Sequence, residues 1–406
     1  RADEQTYIDK SIILFQARWI LAVHGYIQGL PNAEQAVGRE SIMEGMGITK
    51  GFGVYAGKRV LITGATGFKG TWLTEILRTL NAEVTGFGLK PDTNPSLYEI
   101  FENGKEGRII IRDILEKGFA EKIIEESEPE IIFHLASQPL VSVSYKEPAE
   151  TFRTNIFGLI NLYEAVRSSG KVKKLVIITS DKCYDTERGI RSFKEEDPMG
   201  GLDPYSASKG CAEVITKSYF KSFLENEGIS LVTARAGNII GGGDWSKDRL
   251  IPDIVRAVTE NRRIVLRNPN SVRPWQHVFD ALFGYLTIGG KLLTGELSGY
   301  NSYNFGPMGA EEFTVSEVAG ILAEKFDIGR DEITYVNPEF RETEYLRLDS
   351  TKVHIEAGWR SIWSTNESIE KTSEWYKEYY RCRDRAKEIS EIQLSTYLKD
   401  LTKRYN

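Results

Sequence analysis

The run Lys58-Arg-Val-Leu-Ile-Thr63 leads directly into Gly64-Ala-Thr-Gly67-Phe-Lys-Gly70, and Thr71 to Leu80 follow with apolar residues at helical spacing. A β-rich run, a glycine turn and a helix in that order predict a dinucleotide-binding βα unit. Gly64 permits the tight turn, Gly67 lets backbone approach a pyrophosphate, and Gly70 lets the helix pack close to the strand. The helix N-terminus offers unpaired N–H groups and a positive dipole end to phosphates. The spacing is G-x-x-G-x-x-G, not the G-x-G-x-x-G of the standard dehydrogenases.

The alternation continues downstream. Strands are predicted at Glu130 to Ala136, Lys174 to Ser180 and Ser230 to Arg235, and long helices at Pro148 to Gly170 and Pro204 to Glu227. This βα rhythm predicts an α/β fold, a doubly wound parallel sheet of Rossmann type with a smaller C-terminal substrate-binding lobe. The expected dinucleotide domain covers 57–236 together with 274–307. The lobe takes 237–273 and 308–381, and 382–406 forms a helical tail. Within the lobe, helices are expected at Arg249 to Asn261, Phe313 to Asp327 and Ser368 to Tyr380, with a short strand at Ile264 to Arg267. Residues 1–56 are an extension of unknown role. Of these, 1–42 are expected to be an accessory helix-bearing segment or to stand outside the core protein, with Met43 or Met46 a natural start.

The second strand, Glu83 to Gly88, does not end in the acid that usually binds an adenosine ribose; Leu89 and Lys90 follow. Lys90 suits a 2′-phosphate, so these residues alone leave NAD and NADP open. Asp113, after the third strand Arg108 to Arg112, suits either the adenine amino group or a helix cap.

Two strings carry chemistry. Ser180-Asp181-Lys182 closes the apolar fifth strand, at the end of a parallel sheet where ligands bind. Tyr205-x-x-x-Lys209 places a phenol and an ammonium on one helix face. The cation is expected to draw the phenol's pKa toward neutrality, so that Tyr205 takes an alcohol proton while a hydride leaves the same carbon. The resulting ketone acidifies the neighbouring C–H. Lys182, if neutral, suits that proton, and Asp181, if kept protonated by burial, suits a departing hydroxyl. An epimerase or plain dehydrogenase needs no such acid–amine pair, and a non-catalytic sensor needs neither Tyr205 nor Lys209.

The formal charge of −6 and the absence of a basic helix face argue against nucleic-acid binding. Cys183, Cys211 and Cys382 are odd in number and far apart, which fits a reducing cytoplasm, and the four histidines form no metal-ligand pair. Ser11 to Leu30 is too polar to span a membrane.

The glycine fingerprint, Thr179-Ser180-Asp181-Lys182 and Tyr205-x-x-x-Lys209 resemble the extended short-chain dehydrogenase/reductase family. More narrowly, Thr63 to Trp72, Pro91 to Tyr98, Gly237 to Trp245, Asp248 to Asp253 and Arg273 to Val278 resemble the CDP-glucose 4,6-dehydratases. The resemblance spans about Gly57 to Tyr380. It implies NAD-dependent dehydration of CDP-glucose to CDP-4-keto-6-deoxyglucose, within deoxysugar biosynthesis for lipopolysaccharide O-antigen. It implies a cytoplasmic homodimer or homotetramer built on the helices from Pro148 and Pro204, with Ile215, Tyr219 and Phe223 facing the partner. Tyr205 becomes the base of oxidation, Lys209 its partner, Asp181 the acid for water loss and Ser180 a hydrogen-bond partner of the sugar; Lys182 stands where the related dTDP-glucose dehydratases have a glutamate as C5 base, and the resemblance leaves the identity of that base open. Cofactor contacts are implied at Gly64, Gly67, Phe68, Lys69, Gly70, Asp113, Ile114, Leu135 and Ala136. Substrate contacts are implied at Gln138, Asn238, Arg249, Leu250, Arg273, Gln276 and Asn304. No metal is implied.

Overall fold

The computed structural model describes residues 49–102, 108–189, 191–307, 309, 311–337 and 343–405. The expectation for residues 1–42 falls outside them.

Strand β1 (Arg59–Thr63) passes through the glycine turn into helix α1 (Phe68–Thr79) and then β2 (Glu83–Gly88). Next come β3 (Ile109–Ile111), α2 (Phe119–Ser127) and β4 (Ile131–His134). A helical rod follows in three pieces, Pro148–Phe152, a π-helical Arg153–Phe157 and Gly158–Ser169, here α3 as a whole. Then come β5 (Lys174–Ile178), α4 (Pro204–Tyr219), ending in a π-turn at Phe220–Leu224, and β6 (Ser230–Ala236). The lobe holds α5 (Leu250–Thr259) and β7 (Ile264–Arg267). The chain returns to the sheet through α6 (Val278–Thr294) and β8 (Tyr300–Phe305). It then builds α7 (Val315–Lys325), β9 (Ile333–Val336), α8 (Thr365–Arg381) and α9 (Ala386–Tyr405).

The sheet is parallel throughout, in the order β8-β6-β5-β4-β1-β2-β3. The chain reverses direction across the sheet between β1 and β4, and that switch point opens the ligand crevice of such folds. The doubly wound expectation holds, and β8 adds a seventh strand from within 274–307. Its alternation Tyr-Asn-Ser-Tyr-Asn-Phe is too polar to read as a buried parallel strand.

One boundary differs from expectation. Tyr55, assigned to the extension, is fully buried and donates its hydroxyl to Leu286 O at 2.7 Å, so the stretch before β1 is part of the core. Helix α9, within the expected helical tail, buries Leu394, Tyr397, Leu398 and Leu401 in the main core, with the Tyr397 ring 5.1 Å from that of Phe283. The aromatics of α8 reach the glycine-rich loop: Tyr376 Oη accepts from Asp244 N at 3.0 Å, and Trp245 Nε1 donates to Tyr380 Oη at 3.2 Å.

Asp280, in the first turn of α6, fastens α9 in place. Its buried Oδ1 accepts from Ile362 N at 2.6 Å and from Tyr397 Oη at 2.8 Å. Burial pushes this carboxyl up to about 7. A carboxyl raised in the folded state favours folding below its unfolded pKa, and that contribution is lost as pH rises through the folded value. Asp280→Asn keeps an acceptor oxygen and does not ionise. Between pH 5 and pH 8, stability from urea melts should shift in favour of the variant by on the order of 3 kcal/mol. An identical difference at both pH values would contradict this reading.

Candidate active site

A cavity of about 690 Å³ runs from the glycine turn, past the ends of β1, β4, β5 and β6, to the base of the lobe. Its size suits a dinucleotide or nucleotide-sugar site.

The glycines explain the cradle. Gly64 has φ +72°, and a Cβ there would lie 2.7 Å from Ala136 N. A Cβ on Gly70 would lie 2.0 Å from Gly64 O, so α1 approaches β1 only because Gly70 has no side chain. Gly67 differs. Its backbone is extended, and a Cβ there meets nothing of the protein nearer than Gly64 O at 3.5 Å. The bareness of Gly67 therefore serves the cavity, as a bound pyrophosphate requires. Phe68, Lys69, Ile114, Leu135 and Ala136 line the same wall. Lys69, in the first turn of α1, is lowered to about 7 by burial and by the nearby charges of Lys209 and Arg249. Asp113 lines the cavity while its Oδ1 accepts from Leu115 N at 2.9 Å, so both of its expected uses remain compatible with one position.

At the end of β5, Ser180 Oγ donates to Asp181 Oδ1 at 2.9 Å and hydrogen-bonds the Tyr205 phenol. Asp181 is 3% exposed, and its Oδ2 has no hydrogen-bond partner among the described residues. Burial raises its carboxyl, against the opposing charges of Lys182 and Arg273. Such an environment favours the protonated carboxyl more than water does. Lys182 is half-buried on the cavity wall.

The tyrosine expectation needs correction. Burial pushes Tyr205 up to about 12, with the Ser180 hydrogen bond opposing. Lys209 does not draw it down: its Nζ lies 5.9 Å from the centre of the phenol ring, and burial lowers Lys209 itself to about 8. Desolvation outweighs a cation at that distance. Further positive charge in the cavity is needed to bring the phenol toward neutrality.

Asn238, Arg249, Leu250 and Arg273 line the cavity. Arg249 Nη1 pairs with Asp244 Oδ2 at 2.9 Å. Arg273 is 6% exposed, not a surface ion-pair residue, and donates Nη1 to Val272 O at 2.9 Å. Gln138 also lines the cavity, but its amide is spent on Leu140 N and O and on Thr151 Oγ1, so it shapes its loop. Gln276 and Asn304 do not reach the cavity wall. Gln276 is buried behind it, donating to Phe305 O at 2.6 Å. Asn304 is fully buried, accepting from Tyr184 Oη at 2.6 Å and donating to Phe193 O at 2.9 Å. Both follow or form strands whose side chains alternate, and their positions face the core.

Sequence reasoning missed two supports. Asn155, in the π-helical piece of α3, accepts from Gln138 N at 2.8 Å and donates to Ser208 Oγ at 2.8 Å, tying the loop after β4 to the catalytic helix. No periodicity signals a π-turn. Arg267, at the end of β7, lines the cavity and pairs with Asp248 at 3.0 Å; a basic residue closing a lobe strand was the available signal.

The parallel sheet, the glycine cradle and the Ser180–Tyr205–Lys209 grouping define an extended short-chain dehydrogenase/reductase. The GDP-mannose 4,6 dehydratase family profile matches residues 61–372, and the chain belongs to that family. It is 40% identical over 353 residues to a CDP-glucose 4,6-dehydratase of Salmonella typhimurium strain LT2, covering 84% of this chain and 98% of that protein. It is 27% identical over 335 residues to the dTDP-D-glucose 4,6-dehydratase of Homo sapiens, covering 80% and 91%. Among solved structures, DesIV, a dTDP-glucose 4,6-dehydratase from Streptomyces venezuelae with NAD and TYD bound, superposes with a TM-score of 0.69 at 22% identity, over 79% of this chain and 97% of that one. A UDP-glucose 4-epimerase of Thermus thermophilus, in complex with NAD, gives 0.67 at 26% identity, over 79% and 99%.

Gly67→Ala isolates the cradle. The variant should melt with the wild type yet bind dinucleotide about tenfold or more weakly by calorimetry. Wild-type affinity would remove the pyrophosphate from this turn.

Proposed function

We propose that this protein binds NAD and converts CDP-glucose to CDP-4-keto-6-deoxyglucose. The observation that carries the reading is Asp181, a buried carboxyl held toward its protonated form with one oxygen unpartnered, in the cavity that also holds Tyr205 and Lys209. Four-tenths identity to a CDP-glucose 4,6-dehydratase over nearly that protein's whole length supports the same substrate.

Bound NAD would supply a hydride acceptor, a positive charge at the nicotinamide and, once reduced, the hydride that ends on C6. Tyr205 accepts the proton of the sugar C4 hydroxyl, with Ser180 holding that hydroxyl and the phenol together. Lys209 shares the helix face of Tyr205, with its Nζ 5.9 Å from the centre of the phenol ring, and the positive charge of the nicotinamide would favour the phenolate. Lys182 takes the C5 proton once C4 is a ketone, Asp181 gives its proton to the C6 hydroxyl as water leaves, and Lys182 returns its proton to C5 as the hydride taken from C4 is delivered to C6. Arg249, Arg273 and Asn238 hold the diphosphate, with charge-assisted bonds from the guanidinium groups. Leu250 borders the nucleotide. A 4-epimerase or a plain 4-dehydrogenase on this fold has no use for an acid in the position of Asp181.

We propose further that the protein is a homodimer or homotetramer paired through α3 and α4. Phe157, Val214 and Phe223 are exposed on these helices, at 58%, 59% and 39%. Ile215 and Tyr219, also expected at the interface, pack at least partly on their own subunit, and Tyr219 stacks on Tyr163 at 5.1 Å. A cytoplasmic place, in deoxysugar biosynthesis of the kind that feeds lipopolysaccharide O-antigen, fits three unpaired cysteines. Among the described residues no helix is long and apolar enough to cross a membrane.

The test is incubation with CDP-, dTDP-, UDP- and GDP-hexoses. CDP-glucose should give a 4-keto-6-deoxy product without accumulation of reduced cofactor. Steady growth of free NADH would point to a plain dehydrogenase. Tyr205→Phe should bind NAD normally and lose about 10²- to 10⁴-fold in rate; an unchanged rate would remove Tyr205 from the chemistry. Light scattering at micromolar concentration should give at least twice the chain mass, and a monomer would refute the assembly.

A further inference from the structure

Behind the catalytic helix lies a buried charge pair that the proposed reaction does not use. Glu213 stands one turn after Lys209 on α4, and Arg235 stands near the end of β6. Their side chains are 2% and 3% exposed, and Arg235 Nη2 lies 2.8 Å from Glu213 Oε2. Glu213 also accepts from Thr179 Oγ1 at 2.5 Å and from Thr233 Oγ1 at 2.9 Å. Thr179 directly precedes Ser180 and Asp181. Arg235 Nη1 donates to Tyr184 Oη at 2.8 Å and to Glu195 O at 3.0 Å. Tyr184 Oη in turn donates to Asn304 Oδ1, and Asn304 N donates to Glu195 Oε1 at 2.7 Å. One connected network thus joins α4 to the ends of β5, β6 and β8.

Replacing a buried ion pair with well-packed apolar side chains is often neutral or stabilising, so such a pair is weak evidence for stability. Apolar contacts tolerate small sliding and rotation, whereas a carboxylate that accepts three aimed donors fixes both. Tyr205, Lys209 and Glu213 recur every four residues along one face of α4. Fixing Glu213 therefore fixes the rotation at which the other two face the cavity.

We propose that Glu213, held by Arg235, is a positioning residue: it locks the catalytic helix to Thr179, which sets Tyr205 and Lys209 against Ser180 and Asp181, and it places a fixed negative charge behind Lys209. Its turnover assay rests on the dehydratase reading. Lys209 is lowered by burial, and Cys183 and Glu213 favour its proton. Lys69 and His134 also face it, as does the Tyr205 ring. Arg235, Cys183, Tyr163 and Tyr300 face Glu213.

The double variant Glu213→Gln/Arg235→Met removes both charges and strands neither. It should fold, lose about 10- to 100-fold in kcat with little change in KM for CDP-glucose, and move the alkaline limb of the kcat profile to lower pH. Thr179→Val leaves both charges in place and removes one hydrogen bond. It should lower kcat several-fold with the alkaline limb unmoved, a separation that a merely structural role does not produce. In both variants the amides of 205–213 should exchange hydrogen faster than in the wild type, a readout that needs no substrate. Wild-type kcat and an unmoved limb in the folded double variant would overturn the proposal. If the double variant does not fold, wild-type kcat and wild-type exchange in Thr179→Val would overturn it. A wild-type enzyme inactive on every nucleotide sugar would sink the dehydratase reading and leave hydrogen exchange to decide this one.

Discussion

Thr63 Oγ1 and His134 Nδ1 share a hydrogen bond of 2.7 Å where β1 and β4 end side by side. Leu135 N donates to Thr63 O at 3.0 Å, and Ala136 N donates to Thr63 Oγ1 at 3.2 Å. Burial lowers His134 to about 3, so the ring stays neutral and acts as a fixed strut. From this junction the chain leaves β1 into the glycine turn and leaves β4 into the loop of Gln138. The crevice exists because these two exits diverge while their origins stay clamped, with Gly64 too close to Ala136 N for any side chain. The cradle, the loop and the floor of the cavity all take their positions from it.

Burial then decides the chemistry of the groups around that floor. It raises Asp181 and Tyr205 and lowers Lys69 and Lys209, so acids hold their protons and amines release theirs more readily than in water. A cavity prepared in this way is sensitive to charge brought in by ligands. The diphosphates of a sugar nucleotide and of a dinucleotide favour the protonated amines, and a cationic ring favours the phenolate. The protein supplies desolvation, and its ligands supply the charges that set each proton where the reaction needs it.

Much of this was legible in the sequence, for identifiable reasons. Gly64, Gly67 and Gly70 are constrained by backbone contacts within a few residues, so their spacing reports their roles. Val60 to Ile62, Ile131 to Phe133 and Leu175 to Ile178 are buried on both faces and read as unbroken apolar runs. Strand β8 escaped because Asn301, Ser302 and Asn304 are polar, and the partners that satisfy buried Asn304, Tyr184 and Phe193, are distant in sequence. Asn304 and Gln276 were misplaced for the same reason: a polar residue in a matching string says nothing of which face its strand turns inward. The Tyr205–Lys209 spacing was read correctly as geometry but not as electrostatics, since the burial of a phenol depends on the lobe that covers it.

The central claim is that Asp181 acts in elimination, after C4 has been oxidised. Single-turnover absorbance on NAD-loaded Asp181→Asn, mixed with CDP-glucose, tests it directly. The account predicts that reduced cofactor appears on the enzyme and persists while little 4-keto-6-deoxy product forms. Product formation at near the wild-type rate would contradict it and leave Asp181 as an ion-pair residue at the end of β5.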